Sequence, residues 1–386
     1  MGDLAGGEPS LLRRINSAVV LRALRDAAPA RSLSDLARDT GLSRPTVEGV
    51  LEGLARAGLV AETGSAAVAA ERRPGRPARR YRFRAEAGLV LGAEVGPRRV
   101  SALLADLRGS RIGGAARAVP TDAGAPQRLA ELAELVAGLL REHAARPGAL
   151  RAVGVGSPGI VGRDGTIRLC TALPGWTGLP LAARLRERFG CQVLVENDAN
   201  AAVLGERWSG AAVGSQDVVM VLAGLSPGAG SLIGGRLHRG FGGAAGEIGA
   251  LHLLGRQATP ERLLATSGEP LEPLDEQAVA EVFARARAGE APAAAAVRRF
   301  VERLVHDVTA LVLALDPELV VIGGWAAGLD GVVEPLRREL ARYCLRTPRV
   351  VASSLGEEAV ATGALRLALD RVEEELFSVA GRVTPQ

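Results

Sequence analysis

The stretch Val193-Leu-Val-Glu-Asn-Asp-Ala-Asn-Ala-Ala-Val-Leu-Gly-Glu206 limits the fold more than any other part of the chain. An apolar run rich in β-branched residues, Val193 to Val195, ends on two carboxylates around an amide, and an alanine-rich helical segment follows at once. This pattern reads as a strand delivering polar groups to a helix start. Open α/β sheets bind ligands at the carboxyl ends of their strands, so Glu196, Asn197 and Asp198 are candidate contacts for a small polar molecule. Asp198 can take a proton from a hydroxyl there. The alternative is that Glu196 and Asp198 only decorate a helix N-terminus, where the dipole favours carboxylates.

Packing such a sheet falls to Ala, Val and Leu, because hydrophobic residues make up 47% of the chain and aromatics only 3%. Extended stacking on single-stranded nucleic acid is disfavoured by the same shortage. All 47 basic residues are Arg, and the formal net charge is +4. Without Lys a Walker-type phosphate loop is excluded, while the guanidinium groups suit bidentate contacts to phosphate or guanine. Cys170, Cys191 and Cys344 stand far apart with no Cys-x-x-Cys pair, which argues against a disulfide framework and a thiolate metal site. No apolar run approaches the ~18–20 residues of a membrane span, and the first residues carry no apolar signal core. The expectation is a soluble cytoplasmic protein of two or three domains, at ~100–200 residues each.

The first 84 residues read as a DNA-binding module. A helix over about Leu11 to Ala27 places Leu12, Ile15, Val19 and Leu24 near one stripe, and Ser32-Leu-Ser-Asp35 starts a second helix that ends at Gly41. Ser43 caps a third, with Pro45 in its first turn; Val47, Val50, Leu51 and Leu54 face inward and leave Arg44, Thr46, Glu48 and Glu52 outside or flanking. A short helix, a tight turn and a helix with a polar N-terminal face make a helix-turn-helix, whose second helix enters the major groove. A three-helix bundle that binds protein is the alternative. Residues 58–65 and 78–84 read as wing strands flanking an arm with Arg73, Arg76 and Arg79, suited to phosphates or a narrow minor groove, or else a solvated linker. Glu48 either accepts from cytosine N4 or points away from the duplex.

From residue 85 to 386 strands alternate with helices, with one lobe at about 85–200 and a second at about 201–386. Three strands run as a meander to Val119, a helix covers Pro126 to His143, and Ala152 to Val161 is a strand entering a Gly turn. Gly154-x-Gly156-x-x-Gly159 matches the dinucleotide fingerprint formally, but Pro158 and the residues after it are no helix start, so the fingerprint is rejected. A second series begins at Asp217-Val-Val-Met-Val-Leu222, passes a Gly-dense segment around Glu247, and continues through helices at about 277–287 and 293–315 into a strand ending at Gly323-Gly324. Two βββαβα-like halves hinged at a cleft describe the actin-like, sugar-kinase type of fold.

Five pieces, in this order, resemble the ROK family of repressors, open reading frames and sugar kinases: Gly154 to Val161, Leu173-Pro-Gly-Trp-Thr-Gly-Leu-Pro-Leu181, Glu196-Asn-Asp198, Ala245-Gly-Glu-Ile-Gly249 and Val320-Val-Ile-Gly-Gly324. In the family's kinases the aspartate matching Asp198 is the general base for a sugar hydroxyl, and Asn197 and Glu247 match sugar-contacting positions; Gly159 belongs to the same ligand set. The fused winged helix resembles the family's transcriptional repressors. Departures from the kinases are specific. Their Asp-x-Gly-Gly-Thr phosphate loop reads Glu94-Val-Gly-Pro-Arg-Arg99 here, and Pro97 removes an amide donor. Their Gly-Thr-Gly loop reads Gly224-Leu-Ser226, a sugar asparagine is replaced by Ala172, and the zinc site's His position is Ala250 with no Cys in residues 251–270. The resemblance therefore implies a regulator with no resident cofactor or metal, in which Asp198 is a vestigial base. It acts as a homodimer or homotetramer on double-stranded operator DNA under a sugar-derived effector, away from membranes. An active glucokinase-like enzyme and a regulator answering to a protein partner are the alternatives.

Overall fold

The computed structural model describes residues 9–27, 29–63, 79–146, 148–223, 227–249, 260–271, 276–324 and 332–377. Its N-terminal unit comprises α1 (Pro9–Asp26), β1 (Arg31–Ser32), α2 (Leu33–Thr40), α3 (Arg44–Arg56), β2 (Val60–Thr63) and β3 (Arg80–Phe83). Local chemistry sets most of these boundaries. The Ser32 hydroxyl accepts from the Asp35 backbone while the Asp35 carboxylate accepts from the Ser32 backbone, a reciprocal cap for α2. Gly41, at φ 71°, ends that helix in the left-handed region. Val47, Val50, Leu51 and Leu54 of α3 are all buried, each contributing roughly 1.5–3 kcal/mol.

The stripe expected on α1 is displaced. Leu12 is 56% exposed and Val19 37%, whereas Ala18, Val20, Leu21, Leu24 and Ala27 are buried. A single stripe presumes one packing partner, but α1 meets α2 and α3 on one side and β3 and the C-terminal helix on others. Its apolar residues belong to one continuous cluster with α3, Phe83, the first large sheet and that last helix.

After a 3-10 turn at Ala85–Ala87, the first lobe holds β4 (Leu89–Val95), β5 (Arg99–Asp106), β6 (Arg111–Ala118), α4 (Ala125–Glu142), β7 (Leu150–Ser157), the hairpin β8 (Ile160–Val161) and β9 (Ile167–Leu169), α5 (Leu181–Phe189), β10 (Gln192–Asn197) and α6 (Asp198–Ser209). Its five-stranded sheet runs β10-β7-β4-β5-β6; the meander is antiparallel, and β4, β7 and β10 are parallel. The second lobe repeats the plan with β11 (Val218–Leu222), β12 (Gly228–Ile233), β13 (Arg236–Leu237), α7 (Pro260–Leu263), α8 (Glu276–Arg287), α9 (Ala291–Leu315), β14 (Leu319–Gly323), α10 (Val333–Tyr343), β15 (Arg349–Ala352) and α11 (Ala359–Phe377). Its sheet order is β13-β12-β11-β14-β15. The central strands β11 and β14 are almost wholly buried, as continuous Val, Ile and Leu runs require.

The chain ends by crossing back: α11 packs on α6 and on β4 and β7 of the first sheet. A Cβ at Gly154 would lie 1.8 Å from the Ala364 carbonyl oxygen, so only glycine lets this helix settle on the sheet. Gly154 therefore serves helix packing. The segment beyond Gly159 is the β8–β9 hairpin, so the turn does not run into a helix of its own as the dinucleotide fingerprint requires.

Candidate functional site

The parallel register brings the polar groups together. Glu196 of β10 and Glu94 of β4 both pair with Gly156 of β7, so the two carboxylates sit at the same level, one strand to either side of Gly156. Asn197 caps α6: its Oδ1 accepts from the Asn200 backbone at 3.1 Å and its Nδ2 donates to the Gly159 carbonyl at 3.1 Å. Gly159 stands at φ 99°, and a Cβ there would meet the Leu169 carbonyl oxygen at 2.4 Å. It orients the asparagine by its backbone. Trp176 is fully buried beneath this corner and donates from Nε1 to Ser157 Oγ at 2.8 Å, bracing the end of β7.

Glu196 is buried and committed to the protein. Oε1 accepts from the Asn197 backbone and Asn200 Nδ2 at 3.0 and 2.9 Å, and Oε2 accepts from Arg239 Nε at 2.7 Å. Arg239 belongs to the segment after β13, so this ion pair joins the two lobes. Asp198 differs: its Oδ1 accepts from the Ala199 backbone at 2.8 Å, and the described residues give Oδ2 no donor. Burial, then the negative charges of Glu94 and Glu247, push Asp198 up to about 6. Burial also raises Glu247 and Cys170, the latter with a contribution from Asp198 and Glu247. Carboxylates from β4, α6 and the second lobe thus share one partly desolvated space, with an oxygen on Asp198 available to a hydroxyl donor.

At the other strand end, the β4–β5 turn is filled by its own residues. Arg99 donates to Glu94 Oε2 at 3.0 Å and to both the side chain and the carbonyl of Glu357, and Ser101 Oγ donates to the same Glu94 oxygen at 3.1 Å. Desolvation raises Glu94 even against the opposing pull of Arg99. Beneath the turn, the fully buried Arg128 donates to the carbonyls of Gly96, Ala123, Pro120 and Thr121 at 2.8–3.0 Å. Gly224 to Ser226, Ala250 and the segment to residue 259 lie outside the described residues.

On the N-terminal unit, Ser43 accepts from the Thr46 backbone at 3.3 Å, and its hydroxyl meets that of Thr46 at 2.8 Å. Arg44, Pro45, Glu48 and Glu52 are exposed on α3, and Arg44 reaches Ser34 Oγ of α2 at 2.8 Å. Gly49 and Gly53 on the same helix have no atom within 4 Å of a built Cβ, which leaves its backbone approachable. Arg79 is exposed beside Glu62 at 3.5 Å; Arg73 and Arg76 lie outside the described residues.

Arg239, Glu357 and Arg128 went unnoticed in the sequence. Only Arg128 carried a signal, being a charge four residues before Leu132 in the apolar stripe of α4.

A helix-turn-helix joined to a two-lobed, actin-like body with carboxylates at its strand ends defines a DNA-binding unit on a sugar-kinase scaffold. Residues 90–371 match the model of the ROK family and residues 16–64 that of the IclR helix-turn-helix domain. The chain belongs to the ROK family. It is 24% identical to a xylose repressor of Caldicellulosiruptor bescii over 94% of this chain and 97% of that protein. To a glucokinase of Thermotoga maritima it is 31% identical over 57% of this chain and 80% of the enzyme. Among solved structures, a ROK family transcriptional regulator homologous to the E. coli MLC protein superposes with a TM-score of 0.69 at 19% identity, covering 95% of this chain and 98% of that one. A ROK family glucokinase from Streptomyces griseus, in complex with glucose and AMPPNP, gives 0.60 at 25% identity over 73% and 100%.

Proposed function

We propose that the chain is a sequence-specific transcriptional repressor that binds operator DNA as a homodimer in the cytoplasm and is controlled by a sugar or sugar-derived effector, its kinase activity lost. One contrast carries the reading: Asp198 keeps an oxygen for a hydroxyl, while Arg99 fills the phosphate-side turn between Glu94 and Glu357. Phosphoryl transfer rests on positioning and neutralising phosphates. A turn that lacks the Pro97 amide and holds its own ion pair has little to offer them.

In this mechanism the exposed N-terminal turn of α3, with Ser43, Arg44, Pro45, Thr46 and Glu48, enters the major groove, and Arg73, Arg76 and Arg79 of the wing lie along phosphates or the minor groove. The effector's hydroxyls meet Asp198, Asn197 and Glu247 in the cleft. Binding there shifts the balance between lobe arrangements, and α11, which touches both the first sheet and α1, passes the change to the DNA-binding unit. Relatives named as xylose repressors make an aldopentose the first effector to try.

Fluorescence anisotropy with DNA from upstream of the chain's own coding region, titrated in salt with and without xylose, glucose and N-acetylglucosamine, tests this directly. A specific complex whose affinity one sugar changes at least about tenfold is the expected result. Sugar-dependent ATP turnover that Asp198→Asn abolishes would overturn it.

A further inference from the structure

A cavity of about 170 Å³ lies where the winged helix meets the ROK body. Its walls come from both units: Leu24 of α1 with Ala27 and Ala30 after it, Arg82 and Phe83 of β3, Glu86, and Arg108 from the β5–β6 turn. Two cations and one carboxylate line it, and their hydrogen bonds are unequally shared. Arg82 forms a bidentate pair with Glu86 at 2.9 and 2.7 Å, and this holds Glu86 down to about 2, fully ionised. That pair is complete.

Arg108 is not. Its Nε is buried without a hydrogen-bond partner, and its NH2 reaches only the carbonyls of Leu24 and Ala27, both at 3.4 Å, the long limit for such bonds. The guanidinium also stands 5.8 Å from the centroid of the Phe83 ring, which offers a cation a face but no acceptor oxygen. A half-buried guanidinium with five donors, two stretched bonds to neutral carbonyls and a buried Nε without a partner lacks an anionic oxygen, and leaving a buried donor unsatisfied is costly. We infer that this junction pocket binds a small oxyanion, a carboxylate or a phosphate group, through Arg108. The occupant would bridge α1 and β3 of the winged helix to the β5–β6 turn of the body. It is distinct from the sugar cleft, which is built from other strand ends.

The fork geometry of Arg matches such a group, and a planar carboxylate or one face of a phosphate engages two of its N–H donors at once. An anion here would also meet the end of α1 indirectly, because Arg108 already spans the carbonyls of that last turn. Binding would thus hold the reading head in one orientation on the body.

The test is thermal melting and calorimetry of the full chain with inorganic phosphate and with acetate, each against chloride at matched ionic strength. The expected result is a saturable rise in melting midpoint of about 2 °C or more. It should vanish in Arg108→Gln and need about tenfold more anion in Arg108→Lys, which keeps the charge but not the fork. No saturable rise in the unmodified chain overturns the inference, as does the same rise in Arg108→Gln. Should Arg108→Gln not fold, the Arg108→Lys titration decides: an unchanged midpoint concentration sinks the idea. The sugar response of both variants should stay intact, which separates failure of this site from failure of the effector reading.

Discussion

Two strand ends of one sheet, those of β10 and β4, differ in what they do with their carboxylates. At β10, Glu196 is consumed by Asn197, Asn200 and Arg239, and its bonds hold Asn197 and Asp198 in place while Asp198 keeps an oxygen open. At β4, Arg99 and Ser101 both donate to one oxygen of Glu94, and Arg99 also takes Glu357, so the turn beyond the strand is closed by its own ion pairs. In one case the ion pair positions a neighbour, and in the other it seals the turn. Two ends with similar carboxylates therefore have opposite chemical prospects, decided by where the nearest guanidinium stands.

The sharpest attempt to break this contrast is Asp198→Asn. Removing the charged acceptor should cost the effector about 2–3 kcal/mol, roughly 30- to 150-fold in affinity by calorimetry, with DNA affinity in the absence of sugar unchanged. Arg99→Ala should cost about 2 kcal/mol of stability in urea denaturation, a value discounted because the Arg99 side chain is 25% exposed and Glu94 15%. That deficit should shrink as pH falls, since Glu94, already raised by burial, takes a proton and no longer needs its partner. The variant should gain no ATP turnover.

Acidity sharpens the comparison from the other side. With Asp198 pushed up to about 6, a proton competes with the effector's hydroxyl for the carboxylate. Effector affinity should be flat above about pH 7 and fall by up to about tenfold per unit below about 6, a dependence absent in Asp198→Asn. In the free protein the same shift makes the native state bind the proton before the unfolded chain does. Its contribution to stability therefore rises as pH drops from about 6 into the ordinary carboxylate range. The smallest effect concerns the reading helix: Ser43→Ala removes the cap of α3 and should lower stability by about 1 kcal/mol, seen as a drop in melting midpoint with the sugar response retained.

What was legible in the sequence was what neighbours in the chain decide. The caps at Ser32 and Ser43, the left-handed Gly41 and the inward residues of α3 follow from interactions within four positions. So did the refusal of the dinucleotide fingerprint, because Pro158 and the β8–β9 hairpin stand where a helix would have to start. The stripe of α1 failed because burial there comes from several directions at once. Arg239 meets Glu196 across 43 positions and Arg99 meets Glu357 across 258, and no local pattern announces a partner at that range. Glu196 shows the consequence: its residue type pointed to a ligand contact, while its oxygens are turned to Arg239, the Asn197 backbone and the Asn200 side chain.

The apolar cluster that runs unbroken from α3 through α1 and Phe83 to α11 bears on how such proteins diversify. Phe377 lies in it with Arg22 and Arg25 each 5.4 Å from its ring, and Arg25 pairs with Glu373 at 2.7 Å. A promoter-reading module seated this way is no detachable cassette. A chimera carrying a new head would have to transplant the underside of its first helix along with the groove-facing side, or leave an oily wound at the seam.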